Sequence, residues 1–350
     1  MTSPGAPDLL RGLWYFALPG AALARGRMVA RTLLGEPVLF GRDAEGAAFA
    51  LLDLCPHRGM PLSEGSFDGR EVECCYHGWR FAPSGACTAI PWLVDGAEID
   101  VSRVKVRRFP VREHLGAIWV HMGSARDDDA ALPDLPLVPD IGVGAPNLAV
   151  EMTFACHVDH AVIGLMDPAH GPFVHSSWWW RPGRRMQVKE KAFEPSPLGF
   201  RMKRHQPASN ARAYYLFLGG APETEITFRL PGVRVEHIRA GRHEVVQMTA
   251  VTPIDDRQTR VSHLIWWNVP WLSAIKPVAR YLAHRFIDQD RIVVEKQQRG
   301  LKHNPPMLLV KDADTPARWY FRLKKEFASA AAEGRDFVNP VTDTVLRWRS

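Results

Sequence analysis

Cys55-Pro56-His57, a gap of sixteen residues, and then Cys74-Cys75-Tyr76-His77 place one thiolate and one imidazole at each of two nearby points of this 350-residue chain. Two soft thiolates and two imidazoles can share a two-iron, two-sulfide cluster, with the cysteines on one iron and the histidines on the other. A chain that closes both points around iron must bring two loops together. Gly59 and Gly78, each just past a ligand pair, suit that need. Glycine there lets a loop turn tightly and bring main-chain N–H groups near the sulfurs.

Zinc competes for the same four residues, because two cysteines and two histidines also make a finger. A finger places both cysteines before both histidines, usually with the histidines on a helix. Here each loop carries one of each, which a tetrahedral zinc site would accommodate only by an unusual wrap. The remaining alternative, four unrelated core residues, leaves the paired spacing without a cause.

From Trp14 to Trp119, residues 12–125 resemble the Rieske domain of aromatic-ring-hydroxylating oxygenases and O-demethylases. The resemblance implies that Cys55, His57, Cys74 and His77 bind a [2Fe-2S] cluster. Respiratory Rieske proteins usually add a cysteine pair whose disulfide braces the cluster; Met60 and Tyr76 stand in those places here. That favours the oxygenase or ferredoxin branch. Cys75 occupies a slot where such oxygenases commonly have proline, and it reads as a small buried filler.

Length and composition suit two domains, since 350 residues exceed what a lone Rieske ferredoxin needs. Hydrophobic residues make up 46%, with twelve tryptophans, enough for substantial cores. No apolar run approaches a membrane span, and the first residues lack a signal-peptide pattern. Five cysteines, two committed to iron, offer no disulfide framework, so the expected compartment is the cytoplasm. Much of the net charge of +6 falls between Arg181 and Arg212, where nine Lys/Arg face Glu190 and Glu194. That run reads as a solvated face, or else as a dock for an acidic electron donor. No nucleic-acid motif accompanies it, so nucleic acid is not an expected partner.

The first domain, residues 10–125, reads as short β segments between turns, such as Glu36–Phe40, Ala48–Leu52 and Ala117–His121. A polar, proline-punctuated linker follows over 126–140. The second domain, 141–350, opens on a helix from about His157. It continues with strands at Gly199–His205, Ala213–Leu218, Glu225–Leu230, Val245–Val251 and Thr259–Trp267, and closes on a helical tail. The expected class is α+β: an all-β [2Fe-2S] domain, then an antiparallel sheet covered by long C-terminal helices. The resemblance makes the second domain a helix-grip (START-like) catalytic domain.

A second chemical centre stands in Gly164-Leu165-Met166-Asp167-Pro168-Ala169-His170-Gly171-Pro172-Phe173-Val174-His175. Two histidines and a carboxylate on one face of an iron ion leave positions open for O₂ chemistry. On an unbroken helix, five residues would turn His175 about 140° from His170. Gly171-Pro172 is expected to break the helix between them. The carboxylate is sought on the helix around Pro277–Leu301, where Leu282, Phe286, Asp290, Val293 and Gln297 share one stripe and Asp288 lies opposite. A carboxylate in an apolar stripe is costly unless paired or metal-bound, which selects Asp290. The resemblance matches this oxygenase motif too, implying a mononuclear Fe(II) held by His170, His175 and Asp290. It further implies that Asp167 bridges a ligand histidine to a cluster histidine of a neighbouring subunit in a homotrimer. The other reading of Asp167 is a helix N-cap ahead of Pro168. In the resembled family Gly164 is often Asn.

His157 and His160 lack a third ligand partner and read as supporting or core histidines. Trp178-Trp179-Trp180 suits a substrate entrance, a core or a subunit interface. Trp319, Leu323 and Phe327 form the inner stripe of a helix capped by Asp314-Thr315-Pro316. The resemblance implies a terminal oxygenase that reduces O₂ to hydroxylate or oxidatively demethylate a small hydrophobic substrate, aromatic or polycyclic. The chain carries no flavin or nicotinamide fingerprint, so electrons from NAD(P)H would come through a separate reductase, with or without a ferredoxin. The competing class is a Rieske electron carrier without oxygenase activity.

Overall fold

A computed structural model describes residues 9–94, 96–123, 132–175, 186–206 and 220–350. The chain divides into two compact units, Arg11–Leu135 and Pro136–Ser350, the second also taking Leu9 and Leu10. Trp178–Trp180, the segment Ala213–Leu218 and part of the expected linker lie outside the described residues.

The first unit holds three small antiparallel sheets. One joins β1 (Trp14–Pro19), β11 (Ala117–His121) and β10 (Val111–His114); a second runs β2 (Arg27–Leu33), β3 (Glu36–Arg42), β4 (Ala48–Leu52), β9 (Arg108–Phe109). The third stacks β5 (Ser66–Phe67), β6 (Val72–Glu73), β7 (Arg80–Phe81) and β8 (Cys87–Ala89). Leu39, Leu51, Leu62, Val72 and Phe81 are fully buried in one apolar cluster that also takes Cys55 and Cys74. The two thiols are thus set in a dry core rather than on a mobile surface.

The second unit is one eight-stranded antiparallel sheet. Its order is β12 (Leu148–Phe154), β18 (Thr259–Trp267), β17 (His243–Pro253), β16 (Val233–Ala240), β15 (Glu223–Arg229), β14 (Gly199–His205), β13 (Val188–Ser196) and β19 (Thr344–Arg349). Four of these, β12, β13, β16 and β19, were not anticipated from the sequence, and the expected helical tail ends in strand β19. That strand is short, alternates buried Leu346 and Trp348 with exposed neighbours, and pairs with β13.

Five helices accompany the sheet: α1 (Val158–Met166), α2 (Gly171–Val174), α3 (Pro270–Ala274), α4 (Lys276–Leu301) and α5 (Thr315–Glu333). Helix α4 starts with proline in its first turn, where a missing N–H costs nothing, and packs across β12. Gly164 lies against it, with Val294 Cγ2 3.5 Å from where a Cβ would stand. An apolar contact therefore occupies the place of the amide expected there. Helix α5 buries Trp319 against Phe193 and Phe200, while Leu323 is fully enclosed. Its expected side-chain cap is absent, because the Asp314 carboxylate accepts from the Val310 N–H instead. Asp159 in α1 accepts from Tyr320 Oη at 2.6 Å and from Lys324 Nζ at 2.8 and 2.9 Å, all three buried. This ion pair ties α1 to α5.

No helix among the described residues is long and apolar enough to cross a membrane.

Candidate metal centres

The cluster motif folds as two loops built alike. Cys55 and His57 follow β4; Cys74 and His77 lie in the turn between β6 and β7. In the first loop the Cys55 N–H donates to Met60 O at 2.8 Å and the Gly59 N–H donates to Cys55 O at 2.8 Å. In the second, the Cys74 N–H donates to Trp79 O at 2.9 Å and the Gly78 N–H to Cys74 O at 3.0 Å. Each turn needs a left-handed residue, supplied by Gly59 at φ 70° and Gly78 at φ 69°.

The donors then fall into two pairs. The Cys55 and Cys74 side chains are hydrogen-bonded to each other, and the His57 and His77 rings lie 4.4 Å apart. His57 also stacks on Trp79 at 4.9 Å, and its buried Nδ1 has no protein partner. Among the described residues these four donors do not gather as a group of three that one metal ion could share, as one tetrahedral zinc would require. A sulfur pair and a separate imidazole pair fit a two-iron cluster. Burial pushes the Cys55 thiol up to about 11, so a metal must displace its proton. Cys75 is exposed, not the buried filler expected, because the turn points it away from the core that holds Cys74.

His170, His175 and Asp290 come together in the second unit, with ligand atoms all within 4.8 Å of one another. The Nε2 atoms of the histidines are 3.2 Å apart, and each stands 3.6 Å from Asp290 Oδ1. The chain break that permits this differs from the expected one. Helix α1 already ends at Asp167, whose ψ of 116° turns the backbone out ahead of Pro168. Gly171 and Pro172 begin the single turn α2 rather than breaking a helix, and His170 is its N-cap residue. Asp288 is held by Arg291 at 2.7 Å, away from the triad.

Both imidazoles are oriented through Nδ1. His170 Nδ1 donates to the main-chain oxygen of Asp167 at 2.6 Å, and His175 Nδ1 donates to Gln289 Oε1 at 3.0 Å. Each Nε2 lone pair is thereby left facing Asp290. Phe286 stacks on His175 at 3.9 Å. Burial lowers His175 to about 4 and raises Asp290 to about 6. At neutral pH the site therefore presents a neutral buried imidazole beside a carboxylate whose charge is poorly solvated, which a divalent cation relieves. The donor set fits a 2-His-1-carboxylate iron. Among the described residues no other such group occurs. His157 caps α1 through Nδ1, and His160 lines the adjoining cavity.

Asp167 is not a helix N-cap. It closes α1 at its C-terminal end, and its Oδ1 accepts from the Ala169 N–H at 2.7 Å. Its Oδ2 is 3.9 Å from His170 Nδ1, and the side chain remains 34% exposed.

Two cavities of about 480 and 320 Å³ share Leu165, Asp167, His170, Thr249, Ile287 and Asp290. The larger is walled by Phe154, Ile163, Val251, Val261, Val293 and Leu309. The smaller covers the inner sheet face, from His263 on β18 to Trp348 on β19. Gln289 was missed by sequence reasoning; only its position beside Asp290 on α4 hinted at a supporting role. Gln289→Leu is expected to lower iron affinity at this site about 10–100-fold, read by chelator competition. Unchanged affinity would assign His175 its orientation from Phe286 and packing alone.

Residues 13–110 match the Rieske [2Fe-2S] domain family, and residues 154–326 match the vanillate O-demethylase oxygenase C-terminal domain. A 4beta-methylsterol monooxygenase of Methylococcus capsulatus is 31% identical over 331 residues, 85% of this chain and 83% of that protein. The oxygenase component of dicamba O-demethylase from Stenotrophomonas maltophilia is 34% identical over 170 residues, 47% of this chain and 48% of that protein. The crystal structure of dicamba monooxygenase bound to dicamba superposes over 93% of this chain and all of that one, with a TM-score of 0.71 at 23% identity, a likeness of fold. A simple electron carrier would leave the second matched domain unaccounted for. With both domains matched and a relative similar along most of its length, the chain belongs to the Rieske non-haem iron oxygenases, as a terminal oxygenase component.

Proposed function

We propose that Cys55, His57, Cys74 and His77 hold the [2Fe-2S] cluster and that His170, His175 and Asp290 hold the mononuclear iron. The observation that carries this is the convergence of three ligand atoms within 4.8 Å where two cavities meet. When bound, the two groups supply single electrons and a site at which O₂ is reduced against a substrate. The protein's own residues do the rest. The Asp167 carbonyl and Gln289 fix the histidine tautomers, Phe286 braces His175, and Ile287, Val293 and Leu309 give the chamber apolar walls.

The Asp167 carboxylate is half-buried, with Oδ1 held by the Ala169 N–H, and its Oδ2 is the atom we assign to a histidine of another copy. We read it as the electron bridge in a homotrimer, with His77 of a neighbouring copy as donor. Electrons come from NAD(P)H through a separate reductase, with or without a ferredoxin. The substrate is a hydrophobic ring compound, hydroxylated or demethylated in a chamber whose larger arm is lined mainly by apolar side chains. The cytoplasm is the proposed location.

Iron and acid-labile sulfide per chain, measured on anaerobically prepared protein, test the reading. About three irons to two sulfides are expected, falling to about two irons in His170→Ala with sulfide unchanged. Two irons to two sulfides in both proteins, with iron fully supplied, would remove the second metal centre.

A further inference from the structure

Within the positive run from Arg181 to Arg212, whose ends lie outside the described residues, the described basic residues do not form a single solvated face. Along β13, Val188 and Glu190 are exposed while Lys189 and Lys191 are half-buried, the period-two alternation of a strand. Both lysines line the 320 Å³ cavity, as does His205 of β14. Other basic groups nearby are satisfied: Arg201 and Lys203 pair with Glu194, and Arg234, in the same cavity, pairs with Glu236 at 3.0 Å. Lys191 Nζ donates to the main-chain oxygen of Gln206 at 3.2 Å. Among the described residues no carboxylate stands within ion-pair distance of either lysine. The neighbouring stretches 176–185 and 207–219 contain no Asp or Glu.

Burial lowers both ammonium groups, and Lys189 lowers Lys191 further. The chamber's three acids are engaged elsewhere, Glu236 with Arg234 and Asp167 and Asp290 beside His170, so two like charges near Phe193, Phe200, Ile226 and Phe228 are costly without a counter-charge of their own. A bound anion would remove that cost.

We propose that this chamber takes a ring-bearing organic carboxylate, its charged end between Lys189 and Lys191 and its apolar body against the phenylalanines. The inference deepens the oxygenase reading by naming the substrate's chemistry, and it rests on that reading for which end of the ligand is oxidised. Anion recognition itself does not pass through the iron ligands.

The test uses matched ligands on the full chain: naphthoates and phenanthrene carboxylates against their carboxamides, titrated by tryptophan fluorescence. Carboxylates are expected to bind roughly tenfold to a hundredfold more tightly than their amides. Lys189→Met with Lys191→Met is expected to remove that preference, leaving amide affinity, iron and sulfide unchanged; the corresponding Arg pair keeps it. Equal affinities, no carboxylate binding, or a preference surviving the double Met substitution overturns the proposal. So does a sulfate ion that occupies the site while the ring body adds nothing, since the lysines then serve a free inorganic anion. A missing third iron would sink the oxygenase reading yet leave the anion preference measurable, so the two failures are distinct.

Discussion

Asp167→Asn is expected to keep both iron complements and to lower product formation by roughly three orders of magnitude, about 4 kcal/mol of barrier. The Asp167 Oδ1 accepts from the Ala169 N–H, and the main-chain oxygen accepts from His170 Nδ1. An asparagine can preserve both bonds, so the local fold and the His170 tautomer survive. What it loses is an acceptor-only second oxygen, because the amide nitrogen donates instead. A histidine N–H arriving from another copy would then meet a donor. Turnover supported by a reductase, compared with cluster absorbance and iron content, separates the cases. Wild-type product formation in this variant would remove Asp167 from the electron path. A lost mononuclear iron would instead make Asp167 a support for His170.

Lys324→Met is expected to destabilise the second unit by about 3–5 kcal/mol, measured as a shift of the urea midpoint. The reason is what it leaves behind. Asp159 is 3% exposed and would lose both of its Lys324 contacts, keeping the Tyr320 hydroxyl at 2.6 Å and His157 at 3.6 Å. Adding Asp159→Leu to Lys324→Met is expected to recover most of the loss, because the pair is then replaced by apolar groups rather than broken. A single variant as stable as wild type would show that water reaches Asp159. Because α1 ends at Asp167, the single variant is also expected to loosen the turn that carries His170.

Much of the site was legible because its chemistry is local or periodic. Cys55 to His77 lies within a short stretch whose glycine-marked turns repeat the same hydrogen bonds, and spacing, flanking glycines and family resemblance together pointed to it. Asp290 was separable from Asp288 because a 3.6-residue period puts one on the inner stripe, where it meets the histidines, and the other against Arg291. Strands β14 and β18 were placed at their observed bounds, where apolar and polar residues change over sharply. The rest depends on partners distant in sequence. Lys324 and Asp159 are 165 residues apart, and His175 and Gln289 are 114 apart. Neither pairing leaves a periodic trace. Lys189 and Lys191 were hidden differently: a charge run suggested solvent, though their alternation with Val188 and Glu190 carried the signal of a strand with one covered face.

The two metal centres differ in how far the chain must travel to build them. The four donors proposed for the cluster come from two adjacent loops, so their assembly needs only local folding of the first unit. The triad proposed for the mononuclear iron joins the α1–α2 turn to α4, with the six strands β13 to β18 threaded between. A metal there acts as a clasp on a very long loop, and its binding energy adds to the stability of that closure by mass action, about 4 kcal/mol at a thousand times its dissociation constant. Loss of that one iron would therefore act on the enzyme twice, stopping turnover and loosening the hold of α4 on the turn that carries His170.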